Sequence, residues 1–130
     1  MFVGVLRLEL HVPHARSLKD KRSVIRKFRD RVRGRFDVSV AEVGAQDLLQ
    51  RAVFGVSVVS GDASVCDSIL SQVRRLADHQ PDALLTDSKM EIIPMGSELF
   101  EPSSGLGGSP FDDDDDSDDD DSDDSDDDGR

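Results

Sequence analysis

The sequence predicts an α+β protein with the ferredoxin-like fold, in which a four-stranded antiparallel sheet carries two helices on one face. Segments with alternating apolar residues and segments with helical periodicity follow one another in the order βαββαβ. Each half of this order is a strand–helix–strand unit. Right-handed crossovers place both helices on the same side of the sheet and leave its other face open.

The first strand is predicted over residues 2–12, where apolar and polar side chains alternate. The first helix is predicted over residues 18–33, because Ser17 and Asp20 have the spacing of a capping box. Gly34 is expected to end this helix in the left-handed conformation. The residues that form its apolar stripe at helical spacing are Leu18, Ile25, Phe28 and Val32.

Two further strands are predicted over residues 36–43 and 52–59. In the strand 36–43, the alternation of apolar and polar side chains is interrupted at residues 41–43, which predicts a bulge. The second helix is predicted over residues 64–78, with Ser64 as its N-cap, and the last strand over residues 89–94. The residues expected on the apolar stripe of the second helix are Val65, Ile69, Val73 and Leu76.

The distribution of charge divides the chain. Residues 1–110 carry 15 Lys and Arg against 14 Asp and Glu, whereas residues 111–130 carry 14 Asp and one Arg. A block of Asp and Ser cannot bury apolar surface to offset chain entropy, so it is expected to be disordered. The predicted organisation is a ferredoxin-like domain over 1–97, a flexible linker over 98–111 and a disordered acidic tail over 112–130.

Composition excludes several classes of protein. Cys66 is the single cysteine, so the chain has no intrachain disulfide and no zinc site built from cysteines. No apolar run reaches the ~18–20 residues that a membrane span needs. Charged residues interrupt the N-terminal strand where a signal peptide needs an apolar stretch. We therefore expect a cytoplasmic protein that makes no use of a membrane.

The sequence offers little for catalysis, and we expect no enzyme activity, no cofactor and no metal. The three histidines lack the spacing of metal ligands, and the cysteine has no paired histidine in the sequence. A small-molecule enzyme or sensor would need a polar pocket, for which the loop 45–50 beside His11 is the place to look. The candidates that we interpret as surface, turn or core residues are His11, His14, His79, Cys66, Glu42 and Asp47.

The strongest physical feature is the basic segment 14–35, which holds ten Lys and Arg against two Asp. At ~100° per residue, five of these cations fall within about an 80° arc, about 110° from the apolar stripe. A row of guanidinium groups suits a phosphate backbone through bidentate hydrogen bonds and counterion release. The alternative interpretations are a solvated helix face and a docking site for an acidic protein. The residues predicted to contact RNA are Lys19, Arg22, Arg26, Arg29 and Arg33, with Arg16 and Lys21 at the helix start.

The open face of the sheet is predicted to lack aromatic residues, which excludes the base-stacking platform of an RRM. Its mixture of Val and Ile with a few charges indicates instead a contact between copies of the chain. We therefore expect a homo-oligomer formed through this face. The residues placed on it are Val3, Val5, Arg7, Glu9, Val53, Ser57, Val59 and Ile93.

The run SLKDKRSVIRKFRDRVRGRFDVSVAEV, followed by DLLQRAVFGVSVVS, resembles the YlxP family of small bacterial proteins, a domain of unknown function. The resemblance extends over about residues 1–95. The motifs that carry it are Ser17-Leu18-Lys19, Lys21-Arg22, Ser39-Val40-Ala41-Glu42, Asp47, Gln50-Arg51-Ala52 and Val58-Val59-Ser60. The resemblance implies a ferredoxin-like fold. Family genes commonly lie between those for translation initiation factor two and ribosome-binding factor A, which implies a role in ribosome maturation or translation.

These observations lead to a set of expected partners. The first is RNA, in particular ribosomal RNA, or ribosomal proteins, bound through the basic helix. The alternative is a protein-interaction module or dimeric scaffold that docks an acidic partner on the same helix. The Asp-rich tail is expected either to compete with RNA for the basic helix, to bind cationic proteins or to act as a solubility tail.

Overall fold

The computed structural model describes residues 1–96, which form six elements in the order βαββαβ. Their bounds are β1 (Phe2–His11), α1 (Leu18–Arg35), β2 (Ser39–Gly44), β3 (Arg51–Ser60), α2 (Ala63–Asp78) and β4 (Leu84–Pro94). The strands form one sheet in the order β2-β3-β1-β4, and each neighbouring pair is antiparallel. The ferredoxin-like prediction is therefore confirmed. The linker and tail predicted over 98–130 lie outside the described residues.

The core lies between the helices and the two central strands, β1 and β3. Phe28 of α1 packs edge-to-face on Phe54 of β3, with ring centroids 5.0 Å apart and planes inclined at 62°. The alternate residues of β1 and β3 that face the helices are buried, as the period of two requires. The strand residues that complete this core are Leu6, Leu8, Leu10, Ala52, Val56 and Val58.

Each helix begins at a side chain that accepts a free backbone N–H. The Ser17 hydroxyl accepts the N–H of Asp20, which confirms the predicted cap of α1, and the Asp20 carboxylate accepts the N–H of Arg16. At α2 the prediction is wrong by two residues. Asp62 is the N-cap, and its carboxylate accepts both the N–H and the hydroxyl of Ser64. These hydrogen bonds from Ser64 lower the pKa of the Asp62 carboxyl.

The C-terminal end of α1 differs from the prediction. Gly34 lies inside the helix, which continues to Arg35, so Gly34 does not terminate it in the left-handed conformation. Phe36 follows in an extended conformation and donates its N–H to the Val32 carbonyl oxygen, 2.9 Å away. This bond closes the last turn without a left-handed residue.

Helix α2 approaches β1 closely at Gly4. A Cβ atom at this position would lie 2.8 Å from Leu70 Cδ1 and 3.1 Å from Cys66 Cβ, so a larger residue would force the side chains of α2 to shift. The approach buries Leu70 and Cys66 completely. Val65, which we predicted in the apolar stripe, is exposed because the buried face of α2 is centred one position further along.

Both edge strands contain an irregularity. The register of β2 against β3 shifts at Val43, which confirms the predicted bulge. The register of β4 against β1 shifts near Thr86, whose hydroxyl donates to the Glu9 carbonyl oxygen. This second shift breaks the alternation in residues 84–88, and the predicted strand 89–94 was therefore too short. Neither helix within residues 1–96 is long and apolar enough to cross a membrane.

Candidate nucleic-acid interface

Five basic side chains of α1 form one surface, here called the basic strip: Lys19, Arg22, Arg26, Arg29 and Arg33. Helical periodicity places them on one side of α1, away from its buried face. Arg29 is half-buried, and the other four are exposed. The surface predicted from the sequence is thus present along the helix, and exposed Arg16 lies just before its N-terminus.

The basic strip keeps its charge. Within residues 1–96, no carboxylate oxygen lies within 4.0 Å of a side-chain nitrogen of the strip or of Arg16. Two acidic side chains near α1 pair with other lysines: Asp82 lies 3.6 Å from Lys27, and Glu42 lies 3.0 Å from Lys21. Arg33 donates to the Val40 carbonyl oxygen of β2 at 3.4 Å. The strip therefore remains available to an anionic ligand.

Lys21 does not belong to this surface, which corrects the sequence prediction. Its side chain is 1% exposed and takes the core-facing position, while Leu18 at the helix start is exposed. The Lys21 ammonium donates a 2.7 Å hydrogen bond to the Ala45 carbonyl oxygen and lies 3.0 Å from Glu42 Oε2. A buried cation needs such partners to offset its lost hydration. Lys21 is thus a structural link rather than a ligand-contacting residue.

A cavity of about 180 Å³ opens between α1 and the edge strand β2. Arg22, Arg26 and Arg29 of the basic strip line it, together with Ile25 and Glu42. The charge of Glu42 is compensated by Lys21, so the three guanidinium groups determine the sign of the local field. The buried Nε of Arg29 makes no hydrogen bond within residues 1–96. The cavity is a recess in which a phosphate group can meet several guanidinium donors at once.

The open face of the sheet carries a network of paired charges at one end. Glu9 of β1 accepts a 2.6 Å hydrogen bond from Arg51 and a 3.2 Å bond from Arg7, which also reaches Asp87 at 3.2 Å. The bond from Arg51 is the main reason that the pKa of the Glu9 carboxyl is lowered, and the same bond raises the pKa of Arg51. These arginines are therefore neutralised locally, unlike those of the basic strip.

The other end of the open face is apolar. Val3 of β1 lies between Val59 of β3 and Ile93 of β4, and Val59 is 63% exposed. Val5 follows two residues further along β1 on the same face. Val53, which we also predicted on this surface, is buried because Gly44 of the bulged strand lies against it. The open face thus combines an apolar patch with an ion-pair network.

Four of the side chains interpreted from the sequence as non-catalytic make local contacts: His11, His79, Cys66 and Glu42. His11 Nδ1 lies 3.0 Å from the Gln50 carbonyl oxygen, and the Gln50 amide donates to the carbonyl oxygens of Pro13 and Ala15. These bonds occupy the carbonyl oxygen and the side-chain amide of Gln50. Cys66 is buried, and within residues 1–96 no three His, Cys, Asp or Glu side chains are grouped as metal ligands.

A second basic cluster, not predicted from the sequence, lies on the other side of α1. Arg31 and Arg35 on the opposite flank of α1 line a cavity of about 340 Å³ with Arg75 and His79 of α2. The i, i+4 spacing of each pair was visible in the sequence. The packing of α1 on α2, which brings the two pairs together, was not.

Comparisons with known proteins match this chain to a protein family and to one relative. The family model described as "Protein of unknown function (DUF503)" matches residues 3–90. The "Uncharacterized protein YlxP" of Bacillus subtilis (strain 168) is 34% identical over 89 residues, which cover 68% of this chain and 97% of the Bacillus protein. The matched region contains all of α1 and β2, and hence the basic strip and the cavity beside it.

Proposed function

The chain belongs to the DUF503 family of proteins of unknown function, and from that premise we propose that it is a cytoplasmic, non-enzymatic protein that binds structured RNA through the basic strip. In this proposal, Lys19, Arg22, Arg26, Arg29 and Arg33 contact phosphates, and Arg16 extends the contact at the helix start. Ribosomal RNA is the proposed target, because the YlxP resemblance implies a link to ribosome maturation or translation.

The observation that carries the proposal is the lack of internal carboxylate partners for the basic strip among residues 1–96. Exposed arginines that are already paired gain little from a phosphate, because the new contact only replaces the old one. Unpaired guanidinium groups in a row can release counterions from a nucleic acid and donate bidentate hydrogen bonds. In the recess lined by Arg22, Arg26 and Arg29, one phosphate group can contact several of these guanidinium groups together.

The link between Lys21 and the loop after β2 supports the same surface. Lys21 neutralises Glu42, which otherwise would present a carboxylate to a phosphate in the recess. The described residues provide no aromatic group on the strip for base stacking. Recognition is therefore proposed to follow the shape and backbone of the RNA rather than its base sequence.

The apolar patch formed by Val5, Val59 and Ile93 favours a second candidate function, a protein-interaction module. In this version an acidic protein docks on the basic strip and a second copy of the chain covers the open face. Charged residues are depleted at the centres of protein interfaces, and this end of the sheet fits that composition.

A pull-down with the full chain separates the two candidates. Nuclease treatment before capture removes partners held by RNA and leaves direct protein partners in place. The variant Arg22→Glu/Arg26→Glu is expected to abolish ribosomal co-sedimentation. The matched control, Arg74→Glu/Lys89→Glu, changes the net charge equally at sites remote from the strip. Unchanged co-sedimentation of the first variant, or equal loss in both, contradicts RNA binding by this helix.

A further inference from the structure

A groove between the two helices holds positive charge that the proposed RNA surface does not use. The cavity of about 340 Å³ in this groove is lined by Arg31, Arg35, Arg75 and His79, with Gln72 and Leu76 completing its wall. Its volume lies at the lower end of the range for small-ligand sites. On the helical wheel, Arg31 and Arg35 lie about 180° from the centre of the basic strip, so the two surfaces are separate.

The charge in this groove is not balanced. No acidic side chain lines the cavity, and within residues 1–96 no carboxylate oxygen lies within 4.0 Å of Arg31, Arg35 or Arg75. Arg31 and Arg35 are an i, i+4 pair of like charge on one helix, an arrangement that destabilises a helix on its own. Arg75 adds a third cation from the facing helix. A bound anion would relieve this repulsion.

Two of the three guanidinium groups are held in position by partners other than carboxylates. Arg31 Nη1 donates a 3.0 Å hydrogen bond to Oε1 of Gln80, a buried side chain. The Arg35 guanidinium lies over the ring of Phe36, 5.5 Å from its centroid. Both contacts leave donors of each guanidinium for a ligand, and both reduce the conformational entropy lost on binding.

The donor set indicates the chemistry of the ligand. Three guanidinium forks match the oxygens of phosphate groups bidentately. No Phe, Tyr or Trp lines the cavity, and the guanidinium groups of three arginines dominate its polar wall, so phosphate groups supply the main contacts of a ligand. We infer that the groove between α1 and α2 is a binding site for a free oligophosphate, held by Arg31, Arg35 and Arg75.

The test is a calorimetric titration of the full chain with sodium tripolyphosphate at low ionic strength. The wild-type chain is expected to show a saturable binding event at the groove, distinct from any weaker binding to the recess beside β2. Arg75→Gln removes one charge-assisted donor and is expected to weaken binding about tenfold or more. The matched control is Arg74→Gln, which makes the same change about 150° from the cavity-lining face of α2. Circular dichroism confirms that each variant is folded, and Arg35→Gln gives an independent second variant.

Each outcome decides the question. Weaker tripolyphosphate binding by Arg75→Gln and Arg35→Gln, with Arg74→Gln close to wild type, supports the site. The inference is overturned by a lack of saturable binding to the wild-type chain or by equal losses in Arg75→Gln and Arg74→Gln. It is also overturned if Arg75→Gln weakens binding of an RNA duplex but not of tripolyphosphate. That last result would assign the groove to an RNA surface instead.

Discussion

Lys21 in α1 and Ala45 after β2 are joined by a 2.7 Å hydrogen bond from the ammonium group to the carbonyl oxygen. Ala45 has a φ of 58°, in the left-handed region that favours glycine. The bond therefore fixes a loop whose backbone is strained at this residue. It also holds the cation that neutralises Glu42 beside the basic strip.

Replacing Lys21 is expected to destabilise the fold. Lys21→Met leaves the Glu42 carboxylate and the Ala45 carbonyl without their buried partner, which costs about 3 kcal/mol, the lower end for such pairs because Glu42 is partly exposed. Urea denaturation measures this loss. Lys19→Met, an exposed change on the same helix, should be close to wild type. Adding Glu42→Leu to Lys21→Met should restore part of the stability, and a double variant no more stable than the single one would contradict the account.

Two glycines are expected to respond oppositely to alanine. Gly4→Ala introduces a methyl group against Leu70 and Cys66 and should destabilise the chain by about 1–2 kcal/mol. Gly34→Ala adds a methyl group with no atom within 4 Å in a helical position, and should stabilise by about 0.5–1 kcal/mol. Thermal or urea unfolding of both variants tests the pair. A stabilising Gly4→Ala would show that α2 can move away from β1.

The pH dependence of folding should include a contribution from Glu9. Its folded-state pKa is lowered, mainly by the hydrogen bond from Arg51, so the stabilisation is present above the ordinary pKa of a glutamate. It is lost as the pH falls through the lowered value. An NMR titration of the Glu9 carboxyl measures this, and Arg51→Gln should return the pKa toward its ordinary value. A titration unchanged by Arg51→Gln would remove Arg51 as the cause.

The salt dependence of RNA binding should report how many strip cations contact phosphate. Arg22→Gln and Arg26→Gln are each expected to lower the slope of log affinity against log salt by about one. The loss of affinity should be the same for unrelated duplex sequences, because phosphate contacts carry no sequence information. Arg74→Gln is the control that should leave the slope unchanged. A loss confined to one RNA sequence would indicate base contacts instead.

The acidic tail is expected to oppose RNA binding. Residues 112–130 carry 14 Asp, which repel phosphates and compete for cations when salt is low. Deleting them should strengthen RNA binding at low salt, with the difference disappearing at high salt. A tail of equal length with Asn in place of Asp separates charge from chain length and should match the deletion. Equal affinity of the wild type and both variants at low salt would exclude this role.

Much of the fold was predictable because its signals are local. The alternation in β1, the Ser17 cap and the slip at Val43 each depend on a few neighbouring residues, and all three predictions were confirmed. The end of α1 was not predictable at Gly34, because the bond from Phe36 to Val32 satisfies the last turn in another way. Only packing of α2 on β1 decides which face of α2 is buried.

The candidate sites, like the fold, were predictable only where their signals are local in the sequence. The basic strip could be placed from helical spacing alone. The burial of Lys21 could not be predicted, because its partners Glu42 and Ala45 follow 21 and 24 residues later and contact it only in the folded chain. The groove between α1 and α2 depends on the angle at which the two helices pack. No single segment of the sequence determines that angle, so the groove could not be predicted.

The bulges at Val43 and near Thr86 lie on the two outer strands of the sheet. An outer strand presents free N–H and carbonyl groups on which a strand from another molecule can add, and an interruption in their spacing hinders that addition. The two bulges therefore hinder edge-to-edge pairing with strands of other molecules, which is a route to aggregation. Association of two copies would then use the flat surface around Val59 and leave the borders unpaired.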